Sequence, residues 1–93
     1  MRGDMESNTD LSDPHMIALN ALVWMLADTP RAERLLALTG LDADALRAGV
    51  GDPTVLAAIL EHLTNYEPDL IACAADLHCS PDILLAAHRT LAA

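Results

Sequence analysis

Five prolines punctuate this chain of 93 residues, and each follows a polar residue: Asp13-Pro14, Thr29-Pro30, Asp52-Pro53, Glu67-Pro68 and Ser80-Pro81. Proline has no N–H to donate and its fixed φ suits a helix, so it sits comfortably at the first helical position. An Asp, Thr or Ser just before it can accept from the orphan amides of that turn. The pattern therefore predicts five helix starts. Glu67 is the weak case, because Glu is a poor cap, and Asn65 is the alternative there. A sixth start, at Asp42, needs no proline, since Leu41 and Leu46 occupy the two positions of a hydrophobic staple.

The segments so defined carry helical periodicity. Residues 14–27 are apolar nearly all round, with Met16, Leu19, Val23 and Leu26 on one side and Ile17, Ala21 and Trp24 on another. That is more apolar surface than one buried face requires. Residues 30–39 turn Ala32, Leu35, Leu36 and Leu38 inward and stop at Gly40, a natural left-handed terminator. A short helix over 43–48 is ended by Gly49 and Gly51. Over 53–64 the residues Leu56, Ile59, Leu60 and Leu63 form the clearest single stripe. Two more helices run over 68–77 and 81–91.

Composition agrees with helices. The chain is 53% hydrophobic but 2% aromatic, with no Phe, one Trp and one Tyr, so the core must be Leu, Ala, Ile, Val and Met. Residues that favour strands are scarce and never alternate over a useful length. The predicted fold class is all-α, a compact bundle of about six short helices. Residues 13–93 read as one domain, since one packed core can hold a chain of this size. Residues 1–12, rich in Asp, Glu, Ser, Asn and Thr, read as a flexible acidic tail.

A weak internal repeat appears when the segment from Thr29 is laid on that from Glu67. Pro30 meets Pro68, Gly40 meets His78, Asp42 meets Ser80, Asp44 meets Asp82, and Leu46 meets Leu84. Each copy reads as a helix, a tight turn and a second helix, which would set two hairpins around the helices over 14–27 and 53–64. Helices rich in Leu, Ala and Asp match one another easily, and two copies are too few for a solenoid.

The formal net charge is −9, with fourteen acidic residues against five arginines and no lysine. Such a balance repels phosphate backbones and anionic membranes, so neither is an expected partner. Cys73 and Cys79 are too few for a secreted disulfide framework and are expected as reduced thiols. The N-terminus lacks the basic start and apolar stretch of a signal peptide, and residues 16–27 are too short to span a bilayer, which needs about 20 apolar residues. A cytoplasmic protein is the expectation.

The run Leu35-Leu36-Ala37-Leu38-Thr39-Gly40-Leu41-Asp42 is followed by Leu46-Arg47-Ala48, then Asp52-Pro53, then the Ile59, Leu60 and Leu63 helix, and a closing Ser80-Pro81 turn. In order and spacing this resembles the small bacterial proteins of domain-of-unknown-function family 3572, over nearly everything from His15 to Leu91. The resemblance implies an intracellular bacterial protein. It assigns no activity, cofactor or site residue.

Chemistry-bearing residues point to no catalytic or metal site. Cys73 and Cys79 do not form a C-x-x-C, and His62 and His88 stand alone on separate helices, so no metal is expected. His78 takes the place of Gly40 in the repeat, at a helix-ending left-handed position. A nucleophile would have to come from Cys73, Cys79 or Ser80, with His62, His78 or His88 as base. Cys73 falls on an apolar face, however, and Ser80 is taken up as a cap. No glycine-rich phosphate loop or lysine is present. No cofactor, no small-molecule substrate and no enzymatic activity are expected.

Residues 68–91 also fit a DNA-binding helix-turn-helix, with Ala75, Leu77, Ser80-Pro81 and Ile83 at its packing and capping positions. Its second helix begins Pro81-Asp82-Ile83 and carries only His88 and Arg89 later, whereas a reading head needs donors near its N-terminal end. The remaining clue is the surplus apolar surface of residues 14–27. Either that helix is central and wholly buried, or Ile17, Ala21 and Trp24, joined by Tyr66, form an interaction surface, Trp being enriched at interface hot spots. The reading is a non-enzymatic protein-interaction or regulatory module, partnered by another protein or a second copy; the alternative is a DNA-binding regulator using residues 68–91.

Overall fold

A computed structural model describes residues 13–93. The expected tail, residues 1–12, lies outside them. Six helices follow in order: α1 (Pro14–Leu26), α2 (Thr29–Thr39), α3 (Ala43–Gly49), α4 (Pro53–Thr64), α5 (Glu67–Asp76) and α6 (Pro81–Ala92). Every helix expected from the capping pattern is present, and no strand occurs among the described residues.

The caps act as the chain's punctuation requires, with three exceptions. Asp13, Asp42 and Asp52 accept from the backbone N–H of His15, Ala45 and Thr54 at 3.0, 2.7 and 2.9 Å. At α2 the cap is Asp28 rather than Thr29, accepting from Arg31 N–H at 3.1 Å, so Pro30 is the second helical residue. A carboxylate reaches an amide two or three residues on more readily than a β-branched hydroxyl. At α5 the cap residue is Tyr66, not Asn65, and no side chain bonds there. Ser80 stands at the cap of α6 with extended backbone, but its hydroxyl makes no capping bond.

Two helix ends that the repeat sets in register are both left-handed. Gly40 is left-handed at φ 75°, and its N–H donates to Leu36 O at 3.0 Å. His78 is left-handed at φ 58°. There the N–H groups of His78 and Cys79 donate to Ala75 O and Ala74 O at 3.1 and 2.9 Å, a Schellman closure of α5. The hairpins themselves differ. α5 and α6 pack together at a bend of 106°, whereas α3 docks chiefly on α4. The centre of the bundle is α1, α4 and α6, each packed on the other two, so α6 is a core helix and not half of a peripheral hairpin.

The core contains Leu56, Ile59, Leu60 and Leu63 of α4, as the stripe predicts, with Leu35, Leu46, Leu70, Cys73, Ala74, Leu84 and Ala87 from the other helices. α1 is neither wholly buried nor turned with Ile17 and Ala21 outward. Its core residues are Ile17, Ala18, Ala21, Leu22 and Met25, while Val23 and Leu26 are exposed and Met16 and Leu19 half-buried. The crossing explains the choice. Fully buried Ala18 and Ala21 let neighbouring helices approach closely, because the separation of packed helices is set by the side chains at the contact. On α2 only Leu35 is fully buried, and Leu38, expected inside, is 72% exposed. Gly49 is not a linker residue but the buried last residue of α3, lying against Val55.

Candidate functional site

A row of polar and aromatic side chains ties α5 to α1 and α2. Trp24 Nε1 donates to Asp76 Oδ2 at 2.6 Å. The Arg31 guanidinium lies 3.8 Å from the centroid of the Trp24 ring. Arg31 Nε stands 3.7 Å from Asp69 Oδ1 and 4.0 Å from Asp28 Oδ2. Arg34 Nη2 donates to Asp69 Oδ2 at 2.6 Å, and its guanidinium lies 5.0 Å from the Tyr66 ring centroid. Local periodicity places these groups. Arg31 and Arg34 are one turn apart on α2, and Asp69 and Asp76 are two turns apart on α5, so each pair shares a face.

Beside this row a cleft of about 470 Å³ opens between α2 and α4. Arg34, Leu38 and Thr39 line it from α2, Ala58, Glu61 and His62 from α4, and Asn65 and Tyr66 from the turn before α5. Thr39 is engaged, its hydroxyl donating to Leu35 O at 2.6 Å and accepting from Leu41 N–H at 3.3 Å. Arg34 Nε is enclosed without a hydrogen-bond acceptor. Burial holds the His62 pKa below its ordinary 6.5, and the Arg34 guanidinium lowers it further against an opposing pull from Asp69. A group so shifted is predominantly neutral at pH 7 and presents one donor and one acceptor.

Burial pushes the Cys73 thiol up to about 12, with the neighbouring Cys79 thiol and Asp76 carboxylate adding to the effect. Burial also raises Cys79. Both thiols are free. A thiol raised this far is not a nucleophile at neutral pH, because the thiolate is the reactive species. Among the described residues no group of three or more His, Cys, Asp or Glu side chains could hold a metal ion.

The residues expected to form an interaction surface part company. Ile17 and Ala21 are core residues at 5% and 0% exposure, which corrects their assignment to a surface. Trp24 is half-buried and Tyr66 is 47% exposed, and the two stand at either end of the Arg31–Asp69–Arg34 row. The outward stripe of α1 carries Val23 and Leu26 exposed and Met16 half-buried, while Leu19 at its side packs against the core. Sequence reasoning saw all of these residues but not which side faced in. It missed the pairing of Arg31 and Arg34 with Asp69, for which the i,i+3 arginines and i,i+7 aspartates were the available signal.

The helix-turn-helix register is matched in part, with Leu77 and Ile83 packed against the core and Ser80 at the cap position of α6. The 106° bend falls within the range for such motifs, but Ala75 is exposed and the small residue that packs is Ala74. The outward residues of α6 include Asp82, Ala86, Arg89 and Thr90, with a single cation among them.

Among the described residues the side chains build an all-α bundle of six helices around a three-helix core, with an open cleft between α2 and α4. The chain belongs to the family described as protein of unknown function (DUF3572), whose pattern matches residues 12–93. This is the family that the Leu35–Asp42 run and the proline turns resemble. No curated protein and no solved structure matches the chain. No single helix among the described residues is long and apolar enough to cross a membrane.

Proposed function

We propose that this chain is a non-enzymatic protein-interaction module of the cytoplasm that docks a partner on the outward stripe of α1. The observation that carries the reading is a central helix that buries one apolar face and leaves a second, with Val23 67% and Leu26 44% exposed. α1 carries no acidic or arginine side chain along its length, while the carboxylates of Asp13 and Asp28 stand at its two ends. Those ends are about 20 Å apart at 1.5 Å per residue. The partner that fits is an apolar helix or strand face flanked by lysine or arginine, which would also meet a chain of net charge −9. A second copy would bring the same net charge to the contact, which weighs against self-association. The raised pKa of Cys73 supports a role without thiolate chemistry.

A photo-crosslinking residue at position 23 in the full chain tests this in the native host. A stoichiometric protein that crosslinks there, and is lost from a folded Val23→Glu variant, is the expected result. Crosslinks only to a second copy would replace the partner by a homodimer. Recovery of bare monomer from both proteins would remove the reading.

The DNA-binding alternative over residues 68–91 keeps in its favour the 106° bend between α5 and α6 and the core packing of Leu77 and Ile83. Its discriminating observation is retention on duplex DNA that falls steeply with salt.

A further inference from the structure

We propose that the cleft between α2 and α4 is a binding site for a small organic acid, a single carboxylate carried on an apolar body. The site is separate from the outward stripe of α1 and does not depend on it. At about 470 Å³ the cleft falls within the size range of small-molecule sites. Its apolar walls are Leu38, Ala58 and the ring of Tyr66. Leu38 is the most exposed large hydrophobic residue described, at 72%, and it lines the cleft. An apolar body laid against these three groups would remove that surface from water.

Arg34 supplies the charge. Guanidinium offers five N–H donors, and Asp69 takes one of them by direct hydrogen bond. Nε is enclosed with no acceptor, and 38% of the side chain remains exposed. The cation is therefore only partly satisfied by protein oxygens, and Arg34 lines the cleft. A carboxylate is the planar acceptor that guanidinium geometry matches. His62, kept neutral by burial and by Arg34, adds a donor without adding charge, and Asn65 offers an amide.

The acidic wall sets the upper limit on ligand charge. Glu61 lines the same cleft, and the chain as a whole carries −9. A phosphate ester or nucleotide would bring two or more negative charges to one partly neutralised arginine. A monoanion with an apolar body balances the open guanidinium and still uses Leu38, Ala58 and Tyr66.

Amide NMR titration of the full chain with benzoate and hexanoate tests the assignment, with acetate and benzyl alcohol as comparators that keep only the carboxylate or only the apolar body. At least one of the two acids gives saturable shifts at Leu38, Ala58 and Tyr66. Benzyl alcohol binds about tenfold more weakly, the worth of one hydrogen bond to a charged group, and acetate about tenfold more weakly for want of the apolar surface it would bury. Leu38→Glu, at an exposed position that leaves the melting temperature unchanged, weakens the acid about tenfold by like charge at the rim. Arg34→Gln removes the preference for acid over alcohol. Absence of saturable shifts with both acids, equal binding of benzyl alcohol, or an unaffected Leu38→Glu variant would each overturn the proposal.

Discussion

The Arg31 guanidinium stacks on the face of Trp24, 3.8 Å from the ring centroid, while the indole N–H of the same ring donates to Asp76 at 2.6 Å. The ring is thus fixed on its face by α2 and at its edge by α5. Trp24→Phe keeps the stacking and deletes the donor. It should cost about 1 kcal/mol, below the full value of a charged hydrogen bond because the pair is exposed to water. Arg31→Ala should cost a further ~0.5 kcal/mol. In a double-mutant cycle of Arg31→Ala with Trp24→Ala, chemical denaturation should return a favourable coupling; strictly additive losses would mean the stacking contributes nothing.

Gly49 closes α3 against Val55, and a Cβ placed at Gly49 would lie 2.8 Å from both Val55 methyls and 2.9 Å from its Cβ. Alanine in place of a helical glycine ordinarily stabilises by about 1 kcal/mol. Here the overlap involves the branch point of a stiff side chain and not only its tip, so Gly49→Ala should instead destabilise, by about 1–3 kcal/mol. Combining it with Val55→Ala should recover part of the loss. A Gly49→Ala protein that melts higher than the parent would show that α3 shifts freely on α4.

His78 holds a left-handed backbone at φ 58° on an exposed turn. For a residue with a Cβ that conformation costs about 1–2 kcal/mol, part of which glycine returns as unfolded-state entropy. His78→Gly should therefore stabilise by about 0.5–1 kcal/mol, raising the melting temperature by about 2–8 °C in a domain of this size. His78→Ala keeps the Cβ in the same region and should gain nothing. Calorimetry of the two variants beside the parent separates strain at the backbone from any contact of the imidazole.

His62 has its folded-state pKa lowered from 6.5, first by burial and then by Arg34. The unfolded chain therefore takes up this proton at higher pH than the folded one. The contribution of neutral His62 is present in full above about pH 6.5 and is lost as pH falls from there towards the folded value. Denaturation midpoints of the parent minus those of His62→Gln, collected from pH 8 to 5, should be flat above 6.5 and fall below it. A difference that is constant across this range, or that rises on acidification, would contradict the burial of His62.

The helices follow from local sequence. Capping is decided by residues two or three apart, so Asp13, Asp42 and Asp52 settle their helix starts without reference to the rest of the chain, and Gly40 and His78 settle two ends. The α4 stripe was legible for the same reason, because Leu56, Ile59, Leu60 and Leu63 are apolar on a helix whose other side is polar enough to show the contrast. α1 lacks that contrast. With Met16, Leu19, Val23 and Leu26 on one side and Ile17, Ala18, Ala21, Leu22 and Met25 on the other, hydropathy marks no inward direction, and only the packing on α4 and α6 selected the face bearing alanines. The candidate site lay further still from local reading. Arg34 and Asp69 are 35 residues apart, and Trp24 and Asp76 are 52 apart. Hydrogen bonds across such separations depend on how α1, α2 and α5 are set against one another, which no local rule specifies. The cleft between α2 and α4, with Leu38 at its edge, exists only because tertiary packing buried Leu35 and left the rest of that helix face open.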